Sequence, residues 1–144
     1  MHIWARLFVN ESFCVIETNL ETLMVTYLRI INSMKNVENI IWHDGVLVET
    51  RMECHHAEYN FILTTELYVD EFTAGRERKR FEFTGVEHLS QVMDIAEIID
   101  NQKSGNIKDA TIVYKAKKYN FSLNLFGGFL RFTFKTMRVV DNEY

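Results

Sequence analysis

Residues 119–134 read YNFSLNLFGGFLRFTF and carry the clearest fold signal in the chain. Apolar and polar residues alternate on both sides of Gly127-Gly128, as they do when one face of each strand packs on a core. Two consecutive glycines also supply the positive φ angles that a type I′ or II′ turn requires. The segment therefore predicts a β-hairpin.

The same two-residue period occurs upstream, in residues 46–54, 59–69 and 78–84. Each segment places apolar residues at alternate positions with charged or polar residues between them, which is typical of a half-buried strand. The opening segment, residues 3–16, is rich in Ile, Phe and Val and predicts a strand or a hairpin interrupted near Asn10-Glu11. Together these segments predict an antiparallel sheet of about seven or eight strands.

Two further segments have the period of an amphipathic helix. In the first, Thr18-Asn19-Leu20-Glu21 forms a capping box, and apolar residues follow at i, i+3, i+4 and i+7 up to a stop at Asn36. In the second, Thr84-Gly85-Val86-Glu87 forms a capping box before a weaker helical pattern over residues 86–99. The sequence thus predicts the α+β class, with one or two helices packed on the sheet.

Length and composition favour one globular domain. The chain has 144 residues, no proline and no linker rich in Gly and Ser, and no internal repeat is detected in it. Its apolar stretches fall well short of the roughly 20 residues that span a bilayer. The N-terminal residues lack the charged and apolar regions of a signal peptide. We therefore expect a single domain, residues 1–144, that is cytoplasmic and has no membrane partner.

Charge is distributed unevenly along the chain. The formal net charge is −4, but residues 1–72 contain 11 acidic and 4 basic residues, whereas residues 73–144 contain 9 acidic and 12 basic residues. Nucleic-acid binding needs a continuous basic surface, so this balance argues against a nucleic-acid partner. An acidic region instead favours association with a basic protein, because opposite charges accelerate and select encounters.

The histidines are the main candidates for chemistry. His43 with Asp44, or the pair His55-His56, can supply the acid and base of a small hydrolase or nuclease. On a strand, however, adjacent side chains point to opposite faces, so His55 and His56 cannot share a metal ion there, and a polar turn at a strand end is the simpler interpretation. The chain contains neither a G-x-S-x-G elbow nor a phosphate-binding glycine loop. The sequence therefore predicts no catalytic residues, no metal and no cofactor, with the small hydrolase or nuclease left open as the alternative.

One segment combines residues that are unusual together: residues 40–48 read IIWHDGVLV, in which Trp42, His43, Asp44 and Gly45 precede an apolar strand. Farther on come GNIKDA at residues 105–110 and the Gly-Gly hairpin of residues 119–134. In this order the three elements resemble a family of small bacterial immunity proteins that are encoded beside polymorphic and contact-dependent toxins. The resemblance covers residues 40–134 and leaves residues 1–36 outside it.

The resemblance implies a cytoplasmic antitoxin that binds the catalytic C-terminal domain of a cognate bacterial toxin, often a nuclease, and neutralises it. In such a protein Trp42, His43, Asp44 and Gly45 are expected to hold the structure, and exposed acidic residues are expected to contact the toxin. The candidate contacts are Glu49, Glu53, Glu66, Asp70, Glu71, Asp94, Glu97 and Asp100. A phage or accessory protein that binds a host factor is a further alternative, because it needs the same binding surface for a different partner.

Overall fold

The computed structural model describes residues 7–9, 12–14, 24–25, 28, 40–72 and 74–141. The strands in this part of the chain are β1 Leu7–Val9, β2 Ser12–Cys14, β3 Ile41–His55, β4 Glu58–Tyr68, β5 Arg76–Thr84, β6 Glu87–Met93, β7 Ile107–Lys115, β8 Lys118–Leu125, β9 Gly128–Phe134 and β10 Thr136–Asp141, and helix α1 is Ile95–Asp100. β1 and β2 pair antiparallel, which confirms the predicted hairpin in the opening segment.

The other eight strands form two antiparallel sheets rather than the single sheet that the sequence predicts. Sheet 1 has the strand order β10-β5-β4-β3, and sheet 2 has the order β6-β9-β8-β7. Alternation along a strand identifies the face that is buried, but it does not identify the sheet to which the strand belongs. The antiparallel pairing agrees with the sequence prediction, and the described residues contain ten strands where seven or eight were predicted.

The two sheets pack face to face as a sandwich, and aromatic rings fill the space between them. Phe83 on β5 is fully buried. Its ring lies 4.8–5.0 Å, centroid to centroid, from the rings of Phe121, Phe132 and Phe134 in sheet 2. Trp42 at the start of β3 packs in the same way on Phe81 and Phe121. Residues from both sheets therefore belong to one core, the type of packing expected of a two-layer β domain.

The strands form an internal repeat that was not detected in the sequence. The turn residues with positive φ are His56-Ala57 in the hairpin β3–β4 and Ala116-Lys117 in the hairpin β7–β8, so the two turns lie 60 residues apart. The register shifts of the two hairpins, 47/49 and 107/109, lie 60 residues apart as well. In sequence, the short pattern Tyr-Asn-Phe-x-Leu at residues 59–63 and 119–123 marks this correspondence, as do Gly45 and Gly105.

Each half of the repeat also exchanges its last strand with the other half. β3, β4 and β5 belong to sheet 1, but the following strand, β6, pairs with β9 in sheet 2. In the same way β7, β8 and β9 belong to sheet 2, and β10 pairs with β5 in sheet 1. The crossing strands connect the two sheets covalently at both places.

The prediction of a helix over residues 86–99 is wrong for its first half. Residues 87–93 form β6, which pairs with β9, and only Ile95–Asp100 is helical. The capping box at Thr84–Glu87 is replaced by a turn with Gly85 at a φ of 61°, and the helix begins instead at Asp94, whose carboxylate accepts from the Glu97 amide. Pairing with a neighbouring strand outweighs a weak helical pattern here, because β6 completes sheet 2.

Most of the helix predicted over residues 18–36 lies outside the described residues. Met24, Val25 and Leu28 are described, and all three are helical. Among the residues that the structure describes, no helix has the length and apolar character needed to cross a membrane.

The predicted hairpin between β8 and β9 is confirmed, but its two turn residues are Phe126 and Gly127, because Gly128 already pairs with Leu125 as the first residue of β9. Gly127 has a φ of 98°, which favours glycine. A Cβ on Gly128 would lie within 3.0 Å of the Val92 carbonyl group, so the second glycine lets β6 approach the turn closely. The two glycines therefore serve the packing of β6 as well as the turn itself.

Candidate functional site

The segments that connect the strands differ in charge between the two ends of the sandwich. One end, called the loop end here, comprises residues 69–75, 94–106 and 126–127. It carries five carboxylates and one lysine, a formal charge of −4. The opposite end, called the hairpin end, comprises residues 56–57, 85–86, 116–117 and 135. Its connecting segments carry two lysines and no carboxylate. These described segments are therefore negative at one end of the strands and positive at the other.

Five of the eight predicted contact residues lie at the loop end: Asp70, Glu71, Asp94, Glu97 and Asp100. Two of the five have local structural roles. Asp70 accepts from the Phe72 amide at 2.8 Å, and Asp94 accepts from the Glu97 amide at 3.2 Å. All five are exposed, so their carboxylates add to the negative potential of this end.

The other three, Glu49, Glu53 and Glu66, lie on the outer face of sheet 1. Glu53 forms ion pairs of 3.0 Å with Arg51 and 3.1 Å with His55, and Glu66 pairs with Arg78 at 3.1 Å. The hydrogen bond from His55, together with the charge of Arg51, holds the pKa of Glu53 below its ordinary value. This face therefore carries balanced charge, and the structure does not bring all eight candidate residues onto one surface.

The WHDG segment, residues 42–45, contains both buried and exposed residues. Trp42 is in the core, whereas His43 and Asp44 are exposed, with Nδ1 of His43 3.0 Å from Oδ2 of Asp44. A Cβ on Gly45 would lie within 3.0 Å of the Leu67 side chain and of the Trp42 carbonyl oxygen. Asp44 has a φ of 60°. The segment is an irregular part of β3, where the register with β4 shifts between Ile41 and Val46, and a side chain at position 45 would clash with Leu67 and the Trp42 backbone.

The GNIKDA segment packs directly on the WHDG segment. A Cβ on Gly105 would lie within 3.0 Å of three backbone atoms of Asp44. The neighbouring Asn106 is completely buried, and its side-chain oxygen accepts from the Leu47 amide at 2.8 Å. Its side-chain nitrogen donates to the carbonyl oxygen of Ile98 at 3.2 Å. Asn106 therefore joins β3 to helix α1 and fixes the helix at the loop end.

Five large apolar side chains at the loop end are exposed to solvent: Val69, Phe72, Ile95, Ile99 and Phe126. Phe72 is 95% exposed and follows Asp70 and Glu71 directly. On α1, Ile95 and Ile99 are 59% and 60% exposed, and their i, i+4 spacing places them on one side of the helix. Exposed apolar groups bordered by charges are typical of protein-binding surfaces. The loop end therefore combines apolar contact area with negative charge.

The histidines do not form a shared site. His43 borders an open groove of about 370 Å³ at the loop end, which Ile41, Asp44, Tyr68, Asp70 and Glu71 also line. His55 and His56 lie at the other end of β3, where His56 enters the turn, as the sequence predicts. In residues 40–72 and 74–141, no three His, Cys, Asp or Glu side chains are arranged to hold a metal ion.

Ion pairs near the hairpin end connect elements that are not hydrogen-bonded neighbours in the sheets. Lys118 of β8 pairs with Glu87 of β6, and Lys135 pairs with Glu58 of β4. The hydrogen bond from Lys118 holds the pKa of Glu87 below its ordinary value, and the hydrogen bond to Glu58 raises the pKa of Lys135. Both pairs are solvent-exposed, so each contributes little stability.

Replacing Glu87 with Gln is expected to make the free energy of unfolding depend less on pH at acidic pH. Because the pKa of Glu87 is lowered in the folded protein, its contribution is present above the ordinary value of 4.5 and is lost as pH falls through the lowered pKa. Urea midpoints measured across this range for wild type and Glu87→Gln test the prediction. Lys118→Met is expected to reduce the pH dependence of the urea midpoint in the same way. Urea midpoints that fall with pH as steeply in both variants as in the wild type would contradict the prediction.

Comparison with known proteins gives no relative. The chain matches no protein-family model, and no match to a curated protein or to a solved structure was found.

The sequence indicated the carboxylates of the loop end but not the exposed apolar residues Phe72, Ile95 and Ile99. The one available signal was the aromatic residue at the edge of the loop Thr73-Ala74-Gly75, beyond the alternating pattern of β4.

Proposed function

We propose that this protein is an immunity protein that binds and neutralises the catalytic domain of a cognate bacterial toxin. The target that fits best is a basic enzyme, such as a nuclease, because the loop end carries a formal charge of −4. The observation that carries the proposal is the association of exposed Phe72 with acidic groups at that end. The order of the WHDG, GNIKDA and Gly-Gly segments, which resembles the immunity family, supports it.

Binding of this kind needs a rigid scaffold and a complementary surface, and it needs no catalytic group. The scaffold here is the aromatic core between the two sheets, to which Trp42 anchors the irregular first part of β3. Phe72 can anchor in an apolar pocket of the toxin, while Glu71 and Asp100 attract its basic rim. A nuclease bound in this way has its basic substrate-binding surface covered.

The proposal predicts that a toxin gene lies next to the gene of this protein, and the direct test uses the catalytic domain that this neighbouring gene encodes. We expect isothermal titration calorimetry of the two purified proteins to give a 1:1 complex whose affinity falls with added salt. A partner captured from the native host that is a host factor instead would favour the phage or accessory alternative. Failure of the purified pair to bind would contradict the proposal.

Two substitutions locate the binding surface. Phe72→Ala is expected to weaken binding about 30-fold, because a central aromatic anchor contributes on the order of 2 kcal/mol. Glu71→Lys is expected to slow association, since it reverses a charge that steers the basic toxin.

The control is Glu49→Lys, which changes the net charge by the same amount on the outer face of sheet 1. Association rates are measured by stopped-flow fluorescence. A loss of binding in Glu49→Lys with no change in Glu71→Lys would place the interface on sheet 1 and contradict the assignment to the loop end.

A further inference from the structure

Strand β6 is the exposed edge of sheet 2. Six of its seven residues are exposed and Met93 is half-buried, and among the described strands only β9 pairs with it. The irregular part lies at its start, where the register shifts between Glu87 and Ser90 and His88 has a φ of 53°. The remainder, residues 90–93, is a regular strand whose second edge faces away from β9.

The regular part of β6 lacks the usual protection of an edge. Ser90, Gln91, Val92 and Met93 include no charged residue and no proline, and these are the residues that normally prevent an edge from pairing with other chains. The other edge strands of the two four-stranded sheets all contain charges: Glu49, Arg51 and Glu53 in β3, Lys108, Asp109 and Lys115 in β7, and Arg138 and Asp141 in β10. β6 is thus the edge most open to strand addition.

An acidic groove lies at the end of this open edge. It is an open depression of about 790 Å³ beside α1, lined by apolar Val92, Ile95 and Phe129 and by the carboxyl-bearing Asp94 and Glu97. The one basic residue in its lining is Lys108, whose ammonium group lies 4.7 Å from the centre of the Phe126 ring. A strand of a partner protein that pairs along β6 therefore meets an apolar patch and then two carboxylates.

We infer that the partner binds by adding an extended segment to the open edge of β6, with an apolar side chain on Val92 and Ile95 and a lysine or arginine beside Asp94 and Glu97. Main-chain hydrogen bonds to β6 supply affinity that is independent of sequence, and the groove supplies selectivity for a basic residue. This inference rests on the proposed function, because the partner segment belongs to the toxin domain.

Hydrogen exchange on the complex tests the inference directly. We expect the backbone amides of residues 90–93 to gain protection when the purified toxin domain is bound, with β7, the other edge of sheet 2, unchanged. A complex that forms without protection of residues 90–93 would overturn the inference and leave the proposed function standing. Absence of any complex would overturn both.

Proline substitutions provide a second test. Neighbouring N–H groups of an antiparallel strand point to opposite sides, so one of Gln91→Pro and Val92→Pro removes a group bonded to β9 and the other removes a group on the open edge. Urea unfolding identifies the variant that keeps the stability of the wild type. That variant is expected to bind the toxin domain about ten-fold more weakly, since it loses a main-chain hydrogen bond and gains a steric clash.

Glu97→Lys tests the groove separately from the edge. It reverses one of the two carboxylates and is expected to weaken binding more in low salt than in high salt. The matched charge change is again Glu49→Lys, which lies away from the groove. If the stable proline variant and Glu97→Lys both bind as the wild type does, the partner occupies another surface and the inference is wrong.

Discussion

Replacing Gly105 with Ala is expected to lower the free energy of unfolding by about 4 kcal/mol. Gly105 has a φ of 107°, a conformation that costs a residue with a side chain roughly 1–3 kcal/mol. The added Cβ would also lie within 3.0 Å of three backbone atoms of Asp44, and such overpacking costs about 1–3 kcal/mol more. Backbone atoms cannot rotate away, so the turn at Asp44 or the start of β7 must move.

The control for this substitution is Gly75→Ala, where an added Cβ meets no atom within 4 Å. We expect urea unfolding of Gly75→Ala to match the wild type within about 0.5 kcal/mol. Gly105→Ala with a loss below about 1 kcal/mol would contradict the close contact between the GNIKDA and WHDG segments.

Phe83→Ala is expected to have an effect of similar size in the core. The side chain is completely buried and touches three aromatic rings of sheet 2, so its removal leaves a cavity at the centre of the sandwich. Deletion of a buried Phe side chain costs about 3–5 kcal/mol, from lost burial and from the cavity. Urea unfolding measured by fluorescence of the buried Trp42 provides the readout.

Phe72→Ala is the matched control, because it removes the same atoms from a side chain that is 95% exposed. Its stability is expected to lie within about 0.5 kcal/mol of the wild type. The two Phe variants therefore separate the expected roles: Phe83 for stability and Phe72 for the proposed binding of a toxin. Equal destabilisation by both would contradict the assignment of Phe72 to the surface.

The strands were predictable because their alternation is strong. In β8 and β9 every second side chain is buried between the sheets, and the two glycines mark the turn, so local sequence alone determines this hairpin. The division into two sheets was not predictable. β6 leaves sheet 1 after Gly85 and pairs with β9, and this pairing depends on residues more than 30 positions away, such as Phe129.

The predicted second helix shows the limit of periodicity. Val86, Leu89, Val92 and Met93 have helical spacing, yet three of them lie on the exposed edge strand and do not form a common buried face. The internal repeat escaped detection for a related reason: its two halves share geometry, including turns with positive φ, while most of their side chains differ. Equivalent backbone positions tolerate different residues wherever burial is partial.

Part of the candidate site was visible in the sequence as acidic residues. Charge alone did not distinguish Glu53 and Glu66, which are paired with basic neighbours on sheet 1, from Glu71 and Asp100 at the loop end. That distinction depends on which strands are adjacent. The exposure of Phe72 and Ile99 is also a property of the fold, because an isolated apolar residue in a sequence is most often part of the core.

The most direct test of the central claim is a growth-protection assay. Cells that produce the catalytic domain of the proposed toxin partner also produce wild-type protein, Phe72→Ala combined with Glu71→Lys, or Glu49→Lys. The account predicts that the wild type and Glu49→Lys restore growth and that the double variant, produced at the same level and equally stable, does not. Growth arrest in the presence of the wild-type protein would contradict neutralisation of that toxin, and full protection by the double variant would contradict the loop end as the neutralising surface.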